Sequence, residues 1–165
     1  MHDARHHDRT PGDDHSKRLP LAKQVEYLLE ECRIVLPGLQ VLFGFQLAVV
    51  FSDRFPTVLA HQQQVLHLLA MALVAIAIAV IMTPAAYHRQ AEPQEASEGF
   101  VLLSTWLLLA SMPLLAVAIC LEFYLIAQIV LDGAAAWIAG ALLAIFLLLW
   151  LVLPRVARWR RRHAD

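Results

Sequence analysis

Glu122 is the residue whose type and position most directly suggest chemistry, because it is a carboxylate inside the long apolar run 100–131. A carboxylate in hydrocarbon is costly, so it should face other helices, pair with a partner or stay protonated. If this run forms a membrane-spanning helix, the third of the chain, that ends near Leu131, a crossing of about 20 residues places Glu122 near the middle of the bilayer. If the membrane begins at Phe100, Glu122 lies at the outer interface. Its functional interpretation is a proton or cation site, and its structural interpretation is a hydrogen bond between helices.

Two glutamines mark the first apolar run. Gln40 and Gln46 are six residues apart, which is about 600° around a helix, so the two side chains should point to different sides. One arrangement has Gln40 facing the bundle while Gln46 meets another helix, another subunit or Gln128. Amides of this kind join transmembrane helices, and we expect packing rather than a permeation path.

Charged residues gather where the first span begins and the second ends. Glu31 and Arg33 precede the first span, and His88 and Arg89 follow the second, so all four should lie at the same membrane boundary. If Glu31 and Arg89 meet, they would form a salt bridge that locks the two spans together or gates an ion path. Locking is the commoner use of such a pair.

Enzyme and metal chemistry find no positive support among the motifs. His61 and His67 are six residues apart and have no Cys, Asp or Glu close by, which is poor spacing for a metal site. The residues His6, His7 and Asp8 are more typical of a solvated tail. No Gly-rich phosphate loop, Ser/His/Asp arrangement, HExxH or CxxC occurs. We therefore predict no cofactor, no metal and no enzyme activity.

The composition explains how these residues are positioned. The chain is 59% hydrophobic and 16% charged, against about 45–50% and about 25% in soluble proteins. It predicts an all-α, membrane-embedded four-helix bundle preceded by a short amphipathic interfacial helix. The predicted parts are a disordered His-rich cytoplasmic tail at 1–18, the amphipathic helix at 19–33, a four-span domain at 34–154 and a basic cytoplasmic tail at 155–165.

Prolines shape the predicted spans. The first span should begin or kink near Pro37, and the fourth should stop at Pro154. The third is too long for one perpendicular crossing, so it should tilt, project into the interface or bend at Pro113. The spans are predicted at about 34–51, 65–84, 104–131 and 134–153.

The distribution of cationic residues predicts the orientation. Of the 13 Lys and Arg residues, only Arg54 falls on the side opposite the two termini. A cationic excess near span ends marks the cytoplasmic face, so both termini should be cytoplasmic, in a bacterial inner membrane. The C-terminal arginines should attract anionic headgroups rather than nucleic acid, at about 1 kcal/mol per charge; they are Arg155, Arg158, Arg160, Arg161 and Arg162.

Two motifs carry a family resemblance. They are E-x-R-x-x-L-P-G-x-Q-V-L-F-x-F, which begins at Glu31, and A-Y-H-R, which ends at Arg89. With these motifs the chain resembles a family of small bacterial four-span integral-membrane proteins of unknown function. The resemblance implies a fold but no chemistry. It directs attention to the motif residues Glu31, Arg33, Gln40, His88 and Arg89 rather than to Glu122.

Three function classes follow from these observations. The leading hypothesis is a non-enzymatic inner-membrane protein that acts by association, as a homo-oligomer or as an accessory subunit of a membrane complex, because four short spans enclose little space. The alternative is a small oligomeric channel or transporter for protons or small ions, to which Gln40 or Glu122 contributes. A metal-dependent membrane enzyme is the third class.

Overall fold

The computed structural model describes residues 20–91, 97–131 and 133–163, and these residues form helices and short connections without a strand. Four continuous helical stretches are long and apolar enough to cross a membrane, namely Leu21–Val50, His61–Ala91, Glu98–Val130 and Ala135–Arg161. The predicted all-α four-helix bundle is therefore confirmed, while the predicted tail at 1–18 lies outside the described residues. The helical elements are α1 Leu21–Val50, α2 Phe55–Val58, α3 His61–Ala91, α4 Glu98–Val130, α5 Ala135–Leu147, a π-helical segment Leu148–Val152, and α6 Leu153–Arg162.

Helix α1 joins the segment predicted as an interfacial helix to the first span without a break. One face explains this continuity, because the buried residues Val25, Cys32, Leu39 and Gln46 recur every seven positions. Pro37 lies inside α1 on its exposed side, so the helix neither begins there nor is interrupted. The amphipathic face near the N-terminus is thus the first part of the surface that α1 packs against the bundle.

Helices α3 and α4 form the central pair and make the most extensive contact in the described residues. Both helices carry small buried side chains: Ala70 and Ala77 on α3, and Ser104, Ser111 and Ala118 on α4. Small residues at helical spacing allow two backbones to approach closely, which increases van der Waals packing where lipid supplies no hydrophobic driving force. Helix α1 packs on both central helices, and α5 packs on α4.

The sequence predicts that the last helix stops at Pro154, but it does not. The chain remains helical through the π-helical segment and continues as α6, with Pro154 in the first turn of α6. A proline has no N–H and its ring crowds the preceding turn, and a π-helical turn accommodates that disturbance. The Arg155 side chain donates to the Leu151 carbonyl at 2.9 Å, which supplies an additional donor beside the irregular turn.

The two ends of the bundle differ in their elements. The end of α1, α2, the start of α3 and the end of α4 meet at what we call the α2 end. The start of α1, the end of α3 and the start of α4 form the opposite end, the tail end. There Ser97 caps α4 by accepting a hydrogen bond from the Phe100 N–H at 3.0 Å.

Candidate functional site

Three polar side chains from three helices meet near the α2 end. His67 Nδ1 of α3 lies 3.0 Å and 3.1 Å from the two carboxyl oxygens of Glu122 on α4. Gln46 Nε2 of α1 donates to Glu122 Oε1 at 2.9 Å. The side chain of His67 is 4% exposed and that of Glu122 is 19% exposed. These residues, called the polar triad below, tie α1, α3 and α4 together.

The hydrogen-bond partners of His67 constrain where the hydrogens of the polar triad lie. Its Nε2 lies 3.1 Å from the main-chain oxygen of Gln46; because a carbonyl only accepts, Nε2 must carry a hydrogen. Nδ1 then either accepts from a protonated Glu122 or donates to an ionised one. Both arrangements place one proton between Nδ1 and the carboxyl group. Without that proton, a nitrogen lone pair would face a carboxylate across 3.0 Å.

The position of Glu122 along its helix bears on its depth. Glu122 lies eight residues before the end of α4, about 12 Å at 1.5 Å per residue, and Gln46 lies only about 6 Å before the end of α1. His67 is about 9 Å beyond the start of α3. Gln46 and His67 therefore lie closer to the α2 end than to the middle of their helices, whereas Glu122 lies midway between the middle and the end of α4.

A second set of hydrogen bonds lies nearer the helix ends. Gln63 Nε2 donates to Gln128 Oε1 at 2.8 Å, and Gln128 Nε2 donates to the Tyr124 hydroxyl at 2.6 Å. Gln63 Oε1 accepts from the Ala60 N–H at the start of α3. This amide relay fixes the start of α3 against the end of α4. It lies between the polar triad and the α2 end of these two helices.

A groove of about 470 Å³ opens beside the polar triad. The triad residues Gln46, His67 and Glu122 lie at one part of its wall, and Arg54 lines another. The ring of Phe55 in α2 lies 5.4 Å from the ring of His67, centroid to centroid. The remaining lining is mostly apolar and comes from α1, the α2 region and α4, namely Leu42, Phe45, Val49, Ser52, Val58, Leu59, Leu125, Ile126 and Ile129.

The charged residues predicted at the tail end are not brought together. Glu31, Arg33 and Arg89 are exposed, and none forms an ion pair with another described residue. The proposed Glu31–Arg89 salt bridge is thus absent from the part of the chain that the structure describes. His88 is half-buried, with its ring 5.3 Å from that of Phe100, and its Nδ1 has no partner among the described residues.

The two glutamines of α1 do point to different sides, and Gln46 meets another helix, but Gln40 does not face the bundle as in the arrangement first considered. Gln46 is buried and faces the bundle, whereas Gln40 is exposed on the outer surface of α1. The seven-residue repeat of buried positions includes Gln46 and excludes Gln40. Gln46 meets Glu122, while the expected partner Gln128 belongs to the amide relay.

The histidines do not form a metal site within the described residues, where no group of three or more His, Cys, Asp and Glu side chains is close enough to hold an ion. Both ring nitrogens of His67 already have hydrogen-bond partners in the polar triad. His61 is the first residue of α3, six residues away.

His67 is the site residue that the sequence reasoning missed, since it was considered only as a metal ligand. A signal for it was present. Ala70, Met71 and Val74 follow it at three, four and seven residues and are buried with it on one face of α3. A histidine on a core-facing stripe needs partners for both nitrogens, which directs attention to polar residues on neighbouring helices.

Comparison with known families identifies the family of this chain. The model of a family of unknown function, DUF6328, matches residues 14–154, a range that includes both motifs of the predicted resemblance. No curated protein and no solved structure matches the chain.

Proposed function

Since the chain belongs to this family of unknown function, we propose, from the outer face of α1, that it is a non-enzymatic bacterial inner-membrane protein that acts by association. It works as a homo-oligomer or as an accessory subunit of a membrane complex. The observation that carries the proposal is the exposed amide of Gln40 in the apolar part of α1. An amide facing lipid lacks hydrogen-bond partners, so contact with another transmembrane helix is favourable.

Small residues beside Gln40 support close approach of a second helix. Gly44 and Ala48 follow it at four and eight residues, and both are exposed. A Cβ built on Gly44 meets no atom within 4 Å. Gln40, Val41, Gly44 and Ala48 form what we call the association face. A helix face that combines small side chains with an amide is typical of paired transmembrane helices.

The channel alternative has less support. A path lined by both Gln40 and Glu122 would need them on one surface, whereas Gln40 is exposed on the outside of α1 and Glu122 belongs to the polar triad. From the triad towards the tail end, the buried face of α3 continues through Met71, Val74 and Ala77, which are apolar. Association of complete bundles therefore fits these residues better than conduction.

Orientation and lipid contact form the second part of the proposal. Both termini lie in the cytoplasm, and the arginines of α6 contact anionic headgroups. The exposed Val156 and Trp159 lie among these arginines, and an aromatic residue beside cationic side chains favours the membrane interface. Thiol labelling from outside should reach His61→Cys and fail at Glu95→Cys. The reverse pattern would overturn the orientation.

Photo-crosslinking tests the association. A photoreactive amino acid at position 40, incorporated in native membranes, should give a protein adduct: twice the mass of the chain for a homo-oligomer, or a heterologous mass for a partner subunit. The same residue at exposed Leu148 on the last helix serves as the control position. If position 40 yields only lipid adducts, the proposal is wrong.

A matched pair of glycine substitutions sharpens this test. Gly44→Leu should weaken the association by about 3- to 30-fold, because a large side chain separates the helices and removes their close packing. Gly140→Leu is the control, since Gly140 is also exposed, lies in α5, and also has nothing within 4 Å of a built Cβ. Equal effects of the two substitutions on adduct yield would contradict a specific face on α1.

A further inference from the structure

The groove beside the polar triad combines a ligand-sized volume with a small polar region. Its volume of about 470 Å³ falls within the range of about 300–1,000 Å³ that is usual for small-molecule pockets. Most of its lining is aliphatic or aromatic, and much of it comes from residues on the outer surface of the bundle, such as Phe45 and Ile126. A molecule reaching it from the bilayer would therefore be apolar over most of its length.

The charges of the groove restrict the head group of such a molecule. Glu122 lies at one part of the wall and Arg54 at another. An anionic head group beside Glu122 would meet the lone pairs of the carboxyl oxygens, and a cationic one would be opposed by Arg54. The proton shared with His67 leaves the Glu122–His67 pair without net charge, so the position beside Glu122 suits a neutral head group that donates a hydrogen bond.

Hydrogen-bonding capacity restricts the head group further. Glu122 is the triad residue whose side chain remains partly exposed, at 19%. Its two oxygens contact one donor from Gln46 and one ring nitrogen of His67. A carboxyl group has about four acceptor positions, so a further donor can be accommodated. Gln46, which also lines the groove, has a buried Oε1 without a partner among the described residues.

We propose that this groove binds a neutral, lipid-soluble amphiphile through a hydroxyl head group that donates a hydrogen bond to Glu122. The apolar chain of the ligand lies between α1 and α4, against the exposed side chains at the mouth of the groove. This site is separate from the association face, and the inference does not depend on the proposed function.

A set of probes with one chain and different heads tests the proposal. The full-length protein in lipid nanodiscs is labelled with a photoreactive dodecanol that carries a diazirine in its chain, and labelled peptides are mapped by mass spectrometry. Dodecanol should compete with the label, and dodecyl methyl ether, which lacks the donor, should compete about fivefold more weakly. Dodecylammonium and dodecanoate should also compete more weakly than dodecanol.

Two substitutions on the outer surface provide the matched variants. Ile126→Trp fills the groove from its wall and should reduce labelling about tenfold. Ile145→Trp is the control, because Ile145 is similarly exposed, at 52% against 58% for Ile126, and does not line the groove. Both changes leave the buried core untouched, so loss of folding does not confuse the comparison.

A third variant examines the hydrogen bond itself. Glu122→Gln retains a group that can donate to His67 Nδ1 and accept from Gln46, so the bundle should fold. Its amide oxygen is a weaker acceptor than a carboxylate, and the preference for dodecanol over the ether should fall to about twofold. The proposal is overturned if the ether competes as well as the alcohol, if a charged probe competes better, or if Ile126→Trp labels normally.

Discussion

The two ends of the bundle use polar residues in opposite ways. At the tail end, Glu31, Arg33 and Arg89 are exposed and form no ion pairs with other described residues. At the α2 end, neutral amides, one histidine and one carboxyl group form the polar triad and the amide relay, which connect three helices. Among the described residues, the conspicuous charges of the tail end thus take no part in the hydrogen bonds between helices, whereas the polar residues of the α2 end do.

This difference follows from the surroundings of each group. A charged side chain near water has good hydrogen-bond partners already, so an ion pair adds little free energy. A polar side chain at a helix contact has no water, and each missing hydrogen bond is costly. Internal hydrogen bonds are therefore expected at the α2 end, and solvated charges at the tail end.

The largest expected effect is at the centre of the polar triad. Glu122→Leu leaves His67 Nδ1 and Gln46 Nε2 without partners, and we expect it to lower the free energy of unfolding by about 2 to 4 kcal/mol. Unfolding of the purified protein in mixed detergent micelles measures the change. Glu122→Gln is the control and should cost less than about 1 kcal/mol, because an amide can make both hydrogen bonds. Equal costs for the two variants would show that the hydrogen bonds do not stabilise the fold.

An intermediate effect is expected for the glutamine pair of α1. Gln46→Leu removes a hydrogen bond between helices and should lower the free energy of unfolding by about 0.6 to 2 kcal/mol. Gln40→Leu, the same change on the same helix, should leave the unfolding of the monomer unaltered and lower only its association. Both variants are measured by detergent unfolding at a protein concentration where the chain is monomeric. A larger loss for Gln40→Leu would reverse the assignment of the two faces.

The smallest effect is expected at the tail end. Glu31→Gln and Arg89→Gln should each change the free energy of unfolding by no more than about 0.5 kcal/mol, because both side chains are exposed and unpaired with described residues. The double variant should give the sum of the single effects, measured in the same unfolding assay. A coupling energy well above about 0.5 kcal/mol would mean that the two residues interact. The contrast between the two ends would then be wrong.

The architecture was predictable because hydrophobic length is strongly encoded. Long apolar runs gave the four spans and the all-α class, and the predicted resemblance to a family of unknown function is confirmed by the family match. Helix ends were less predictable. Pro37 and Pro154 were expected to limit helices, yet both lie within continuous helical segments, since one lost hydrogen bond is small against the cost of exposing backbone groups to lipid.

The site was only partly predictable. Glu122 was identified from its apolar surroundings alone, but its partners depend on which faces of three helices meet. For α1 that face was encoded, because Val25, Cys32 and Leu39 extend the seven-residue repeat to Gln46. The relative heights of α1, α3 and α4, which bring Gln46, His67 and Glu122 to one level, depend on tertiary packing rather than on any local pattern.

The π-helical segment Leu148–Val152 also changes the helical register of the last helix. A π-helical turn contains one residue more than an α-helical turn, so every later side chain is rotated by about 100° around the axis relative to an uninterrupted α-helix. The directions in which Arg155, Arg158 and Trp159 project are therefore set by a register change within the apolar part of the helix. Deleting one residue from the segment would rotate the whole arginine-rich end without altering any residue in it.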